Sequence, residues 1–168
     1  MLSADSSGEP SFAIPYIYDR LGAPWKSQER VRMLLDAFFP DTLQGIPGDE
    51  DGGGMSAFVV FSMMGFYPVT PTVPTYDIVS PVFEKVTIHL RNGKDFVITA
   101  PHASRQNKYV QKIVLNGKPI DRVWFRHSDL AQGGKLELTM GDTPNTQLGA
   151  KPETFPPASI EVHPEAYR

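Results

Sequence analysis

Cysteine is absent from the 168 residues, and its absence removes disulfides, thiolate catalysis and sulfur-held zinc together. Any metal has to be bound through oxygen or imidazole. Long apolar runs are missing too: none approaches the roughly 20 residues needed to cross a bilayer, so no membrane span is expected. The opening Met1-Leu2-Ser3-Ala4-Asp5 carries no basic-then-apolar leader, which predicts a truncated start, with any secretion signal of the parent protein lying elsewhere. Neither sign of charge dominates. Sixteen Lys and Arg are interspersed with 19 Asp and Glu for a net charge of −3, which leaves no basic stretch to neutralise a phosphate backbone and makes nucleic acid an unsuitable partner. What the chain does have is 40% hydrophobic residues, enough for a real core at this length.

The first third reads as helical. Pro10 suits a first turn, Tyr16 and Ile17 lie in an apolar stretch, Pro15 keeps any helix short or kinked, and Gly22 ends it. From Ser27, Val31, Leu34, Leu35 and Phe38 recur at helical spacing up to Pro40, leaving Gln28, Glu29, Arg32 and Asp36 as the polar face. Residues 55–64 are apolar nearly all round, which predicts a helix buried on every side and closed by Gly65. A strand over Phe58 to Phe61 is the competing reading. Three helices cannot enclose such an element, so the helical third should pack against material outside this chain or against the following sheet. Four prolines between Pro68 and Pro81 predict a linker.

Beyond the linker the pattern turns to strands. Val86–Leu90 and Asp95–Thr99 flank Asn92-Gly93, a two-residue hairpin signal. Tyr109–Leu115 and Arg122–Phe125 flank Asn116-Gly117, and Lys135–Met140 alternates after Gly133-Gly134. The expected fold class is α+β, with a helical segment over 1–68, a Pro-rich linker over 69–81, an antiparallel sheet or small sandwich over 82–141, and an irregular tail over 142–168.

The chemistry concentrates in Gly48-Asp49-Glu50-Asp51-Gly52-Gly53-Gly54 at the mouth of the apolar helix. Glycines let backbone approach a ligand and take positive φ. Carboxylates at a helix N-terminus stay ionised, which suits a base or a metal ligand better than a proton donor. In an extended loop Asp49 and Asp51 point the same way and Glu50 the other. Were the loop to act on a glycoside, neighbours on one loop would be unsuited to flank the ring, since an inverting pair stands about 6.5–9.5 Å apart on opposite faces, and a general acid would have to come from elsewhere. The loop is no phosphate cradle, lacking GxxxxGK[ST], and no EF-hand, whose third and last ligands counted from Asp49 would be Gly53 and Val60. The plain alternative is a solvated acidic turn capping a helix.

Among the remaining candidates, Trp25 and Tyr16 read as core rather than as sugar-stacking rings. His127 reads as a surface or capping residue. His89 and His102 have no metal-ligand spacing, so zinc is not indicated. Met55, Met63 and Met64 read as gap-filling core.

The stretch Ile46-Pro-Gly-Asp-Glu-Asp-Gly-Gly-Gly-Met-Ser-Ala-Phe-Val-Val-Phe-Ser-Met-Met-Gly-Phe-Tyr-Pro-Val69 resembles, over its whole length, the signature near the C-terminal end of family 92 glycoside hydrolases. Glu9-Pro10-Ser11, Pro24-Trp25-Lys26, Ser80-Pro81-Val82-Phe83, Leu115-Asn116-Gly117-Lys118 and His127-Ser128-Asp129 followed by Gly133-Gly134 are similar to family segments in the same order. The resemblance runs from about Gly8 to Asn145.

Membership would imply a calcium-dependent, inverting exo-α-mannosidase with an N-terminal β-sandwich and a C-terminal (α/α)6 barrel, the helical segment completing that barrel. It implies calcium at the 2- and 3-hydroxyls of mannose, helping to distort the ring. On that template Asp51 matches the general base, and Asp49 matches its assisting carboxylate and a metal ligand. Glu9, Gly52 and Gly53 would meet the sugar. The family's Asn-Glu-Pro-Ser-His-His segment here reads Gly8-Glu9-Pro10-Ser11-Phe12-Ala13, so the Asn and both His are replaced, which weakens the assignment of Glu9. The family's general acid falls upstream of Met1, so this chain alone is expected to be inactive. Its partners would be a mannose-containing glycan, with α-1,2 the expected linkage although the chain does not discriminate among linkages, and the rest of the enzyme. A periplasmic or secreted location follows from the same resemblance. The rival reading is a non-catalytic carbohydrate-binding or protein-interaction module; another is a separate subunit lending its loop to a partner's site.

Overall fold

The computed structural model describes residues 11–43, 45–48 and 50–159, apart from the side chain of Asp51. The chain opens on a 3-10 segment, Ile14–Arg20, tighter than the helix its spacing suggests because Pro15 lies in its first turn. Gly22 then turns the chain at φ 71° into helix α1, Pro24–Phe38. This helix begins three residues before the expected Ser27, since Pro24 occupies its first turn, where a missing N–H costs nothing.

The supposed polar face of α1 is half buried. Gln28 and Arg32 lie inside with Val31 and Leu35, because both find backbone partners: Gln28 Oε1 accepts from Val110 N at 2.9 Å and Arg32 Nη1 donates to the Pro81 carbonyl at 2.7 Å. A buried polar group with a partner costs little, and here it docks the helix onto strand segments far along the chain.

Helix α2, Gly54–Met64, settles the helix-or-strand alternative for Phe58–Phe61 as helix. It ends at Gly65, whose φ of 98° lets its N–H reach the Phe61 and Ser62 carbonyls, both at 3.1 Å. Contrary to the all-round burial its composition predicts, only Met55, Phe58 and Ser62 are buried, and Val60 is 55% exposed. Met63 and Met64 are half-buried and pack against different cores.

The eight strands are β1 (Phe66–Tyr67), β2 (Thr75–Ile78), β3 (Lys85–His89), β4 (Asp95–Thr99), β5 (Tyr109–Leu115), β6 (Lys118–Ile120), β7 (Trp124–Arg126) and β8 (Gly134–Gly141). The proline-rich stretch is more than a linker: β2 lies inside it, bracketed by Pro74 and Pro81, and pairs antiparallel with β1 on one side and β7 on the other. Its prolines sit outside the paired residues, so no ladder hydrogen bond is lost. The second sheet runs β3-β4-β8-β5-β6. It is mixed rather than antiparallel, since β4 and β8 run parallel.

Both turn signals work, in different ways. Asn116 (φ 49°) and Gly117 (φ 79°) are both left-handed, as a two-residue type I′ turn requires. The strand they feed is β6, while the expected partner, around Trp124, crosses to the other sheet. Between β3 and β4 only Gly93 is left-handed, and its N–H bonds to Leu90 O, which makes a longer turn than Asn92-Gly93 implies. Phe66, Ile78 and Phe125 from the three-stranded sheet meet Phe96, Ile98, Ile113 and Leu136 from the five-stranded one in a single core, a small sandwich.

Short helix α3, His127–Ala131, follows β7. Its Asp129 accepts from Arg126 N at 2.8 Å and closes a capping box. The tail is irregular but anchored: the buried Trp124 indole donates to Thr154 O at 3.0 Å, and Gly149 N bonds to Asp121 O.

Candidate active-site loop

The acidic loop reaches α2 through two left-handed glycines. Asp51–Gly53 form a 3-10 turn in which Gly52 has φ 70° and Gly53 φ 96°, conformations that side chains disfavour. A Cβ on either glycine would meet no atom of the described residues within 4 Å, so among them this stretch of backbone is open. The alternation expected of an extended loop stops at Glu50, because Asp51 already belongs to a helical turn. Glu9 and Asp49 fall outside the described residues, and so does the side chain of Asp51.

Glu50 is the residue that sequence reasoning passed over. Its carbonyl accepts from Gly53 N (3.3 Å) and Met55 N (3.4 Å), and its Oε1 accepts from Ser56 N at 3.1 Å. It therefore satisfies three of the orphan N–H groups at the head of α2. The capping that seemed a rival use for the acids is done by Glu50, at a spacing of six residues that no standard cap pattern would have flagged. Its Oε2 is buried with no donor among the described residues.

Beside the loop lies an apolar cavity of about 380 Å³, lined by Phe12, Leu34, Phe38, Pro47, Met55 and Phe58. Phe12 stacks on Phe58 with centroids 5.1 Å apart. Trp25 is half-buried, with the Lys26 ammonium 5.2 Å from its ring. Tyr16 is buried, as its core reading requires, and its hydroxyl meets Ser62 Oγ at 2.9 Å; burial pushes its pKa well up. His127 is exposed and bonds through Nδ1 to the Tyr76 hydroxyl at 2.9 Å. No group of three His, Asp or Glu able to hold a metal occurs among the described residues, and no described helix is long and apolar enough to cross a membrane.

A second acidic cluster was invisible in the sequence. Asp19 and Asp77, 58 positions apart, are both buried. Asp77 Oδ2 accepts from Arg20 Nη1 at 2.6 Å, and Arg20 Nη2 also reaches Thr70 Oγ1 at 3.1 Å. Burial pushes the Asp77 carboxyl up to about 6 against the pull of Arg20, and pushes Asp19 well up too, reinforced by the charge of Asp77.

The acidic, glycine-flexed loop thus stands at the head of a helix, on an α+β frame of one helical layer and two sheets. Residues 1–142 match the profile of the glycosyl hydrolase family 92 catalytic domain, and the chain belongs to that family. It is 39% identical over 136 residues to an uncharacterised secreted glycosidase of Arthroderma benhamiae, covering 79% of this chain and 18% of that protein. Its structure is similar to that of a family GH92 α-mannosidase from Bacteroides thetaiotaomicron in complex with mannoimidazole, with TM-score 0.86, 36% identity, and 90% of this chain and 20% of that one covered. A family GH92 inverting mannosidase of Bacteroides thetaiotaomicron VPI-5482 gives TM-score 0.83, 44% identity, and 89% and 20% coverage. The chain thus spans about a fifth of the length of these relatives.

Proposed function

We propose that this chain supplies the general-base end of an inverting exo-α-mannosidase that removes terminal mannose from glycans, with α-1,2 linkages the preferred substrate. Asp51 accepts the proton of the attacking water while Asp49 holds that water and the base in register. The general acid stands across the sugar ring on the remainder of the enzyme, at the separation an inverting pair requires. The observation that carries this reading is the open left-handed backbone at Gly52 and Gly53 immediately after the acids, in a family whose solved relatives are mannosidases.

Calcium suits the donor chemistry of the loop. Its acids offer hard oxygen ligands, and the buried Glu50 Oε2, which has no donor among the described residues, is an acceptor that a nearby cation would satisfy. Asp49 would hold the ion, with further oxygens from outside this chain. When bound, calcium supplies a hard Lewis acid that holds sugar hydroxyls. Glu9 and the backbone of Gly52 and Gly53 would border the mannose. The likeness to a secreted fungal glycosidase supports a secreted or periplasmic site of action.

The test is Asp51→Asn in the intact enzyme. Loss of a general base lowers kcat by about 10² to 10⁴, with KM and the melting temperature nearly unchanged. Turnover at the parent rate would instead mark the loop as structural and favour a non-catalytic module.

A further inference from the structure

The buried cluster around Asp19 and Asp77 lacks donors. Among the described residues, four of its atoms have no hydrogen-bond partner: Asp19 Oδ1, Asp19 Oδ2, Asp77 Oδ1 and Ser27 Oγ. With both carboxyls ionised, three acceptor oxygens would sit in the interior facing one hydroxyl. Asp77 acts on Asp19 as a hydrogen-bond neighbour, and so does Ser27. One added hydrogen closes the whole set. A proton on Asp19 would donate toward its neighbour Asp77, the Ser27 hydroxyl is a donor within reach of Asp19, and Arg20 already donates to Asp77 Oδ2.

We propose that Asp19 and Asp77 hold a single proton between them, and that this proton is a structural ligand fastening the 3-10 segment Ile14–Arg20 to strand β2. The alternative, two buried carboxylates against one guanidinium, leaves an uncompensated charge in the interior, which is far costlier than binding a proton.

The groups that face the pair come from every element around it. The 3-10 segment brings Arg20 and the Tyr16 phenol, α1 brings Ser27, and β1 brings Tyr67, which is opposite Asp77 in register and acts on Tyr16. From α2 comes Ser62, engaged with Tyr16. On β7 the residue opposite Asp77 is Trp124, whose ring carries the guanidiniums of Arg122 and Arg126 at 4.6 and 5.4 Å. Arg20 is thus the one cation bonded to either carboxyl among the described residues.

Burial raises both carboxyls above their unfolded values, so folding takes up a proton. The proton is held chiefly on Asp19, so the stabilisation is complete below about pH 4, where the unfolded chain is protonated too, and is lost as pH rises through the raised folded value of Asp19. Across that window the folding equilibrium constant falls about tenfold per pH unit. An amide in place of Asp19 donates permanently where the proton does, and its oxygen still accepts from Ser27.

The experiment compares the intact protein with its Asp19→Asn variant from pH 4.5 to 8.5, following melting temperature and the infrared C=O stretch of protonated carboxyls. The expected result is a buried carboxylic-acid band near pH 6 that is missing from the variant, together with a variant whose melting temperature overtakes the parent's as pH rises. A difference between the two that is independent of pH, or the absence of such a band, overturns the proposal. If a sodium or calcium ion fills the place of the proton, exchanging cations at constant ionic strength shifts the parent and not the variant, and that outcome refutes it as well. Should the variant not fold, the band in the parent alone decides.

Discussion

The sandwich and the helical layer are built to different standards of closure. The sandwich core gathers Phe66, Ile78, Phe96, Ile98, Ile113, Phe125, Leu136 and their neighbours from two sheets, and each is essentially inaccessible. The helical core has five buried members, Tyr16, Val31, Leu35, Phe58 and Val79. Around it Ile14, Ile17, Leu21, Phe38, Leu43, Ile46 and Val60 are exposed, while Phe83 is the one large exposed hydrophobic outside this half among the described residues. Exposed apolar residues gathered in one half of the chain mark surface that further structure could cover. The acidic loop belongs to the same half. The proposed site therefore lies in the half that leaves apolar surface open, whereas the sheet half closes on itself.

The sharpest way to test this contrast is to remove a ring from each core. Phe125→Ala takes away stacking with Phe96 and edge contacts with Phe66, and should cost about 3–5 kcal/mol by urea denaturation. Phe58→Ala in the helical core should cost less, because the adjoining cavity already lets its surroundings relax; equal costs would break the comparison. Next in size is Gly65→Ala. Its φ of 98° and a Cβ that would stand 2.9 Å from Pro81 Cβ predict a loss of about 1–3 kcal/mol, read from melting and carried by the junction of α2 with the sheets. The smallest effect in this chain is Val60→Lys, expected to stay within about 0.5 kcal/mol because the side chain is exposed. The same substitution in the intact enzyme should lower its melting temperature markedly, and an unchanged value there would show that α2 is not covered.

Much of the sheet half was legible because its signals are local. The alternation in Asp95–Thr99 and Tyr109–Leu115, and the Asn116-Gly117 turn, depend on neighbours in sequence and reappear as β4, β5 and a type I′ turn. Even Gly134 has a local cause that becomes visible only in space: the Asn116 side chain sits where its Cβ would be, bonding Lys135 N at 2.8 Å. Pairing order was not legible. β4 joins β8 in parallel and β7 leaves for the other sheet, choices made by which faces bury against each other. In the proposed site, the acidic-glycine character of the loop was read from residue type and spacing while the roles of Asp49, Asp51, Gly52 and Gly53 came from the family resemblance, and the glycines take the left-handed backbone expected of them. The role of Glu50 was missed because its hydrogen bond to Ser56 spans a turn whose shape the two glycines decide.

Residue order alone determined the longer elements, α1, α2, β3, β4, β5 and β8, the position of the acidic loop and the family, since propensity, turn chemistry and a long contiguous signature all act over a few residues. Only the tertiary structure decided that Gln28 and Arg32 go inside, that a proline-rich stretch contributes a central strand, and that Asp19 meets Asp77 across 58 positions. Those outcomes depend on which polar groups find partners once water is gone, and desolvation is a property of the assembled interior, not of any short segment.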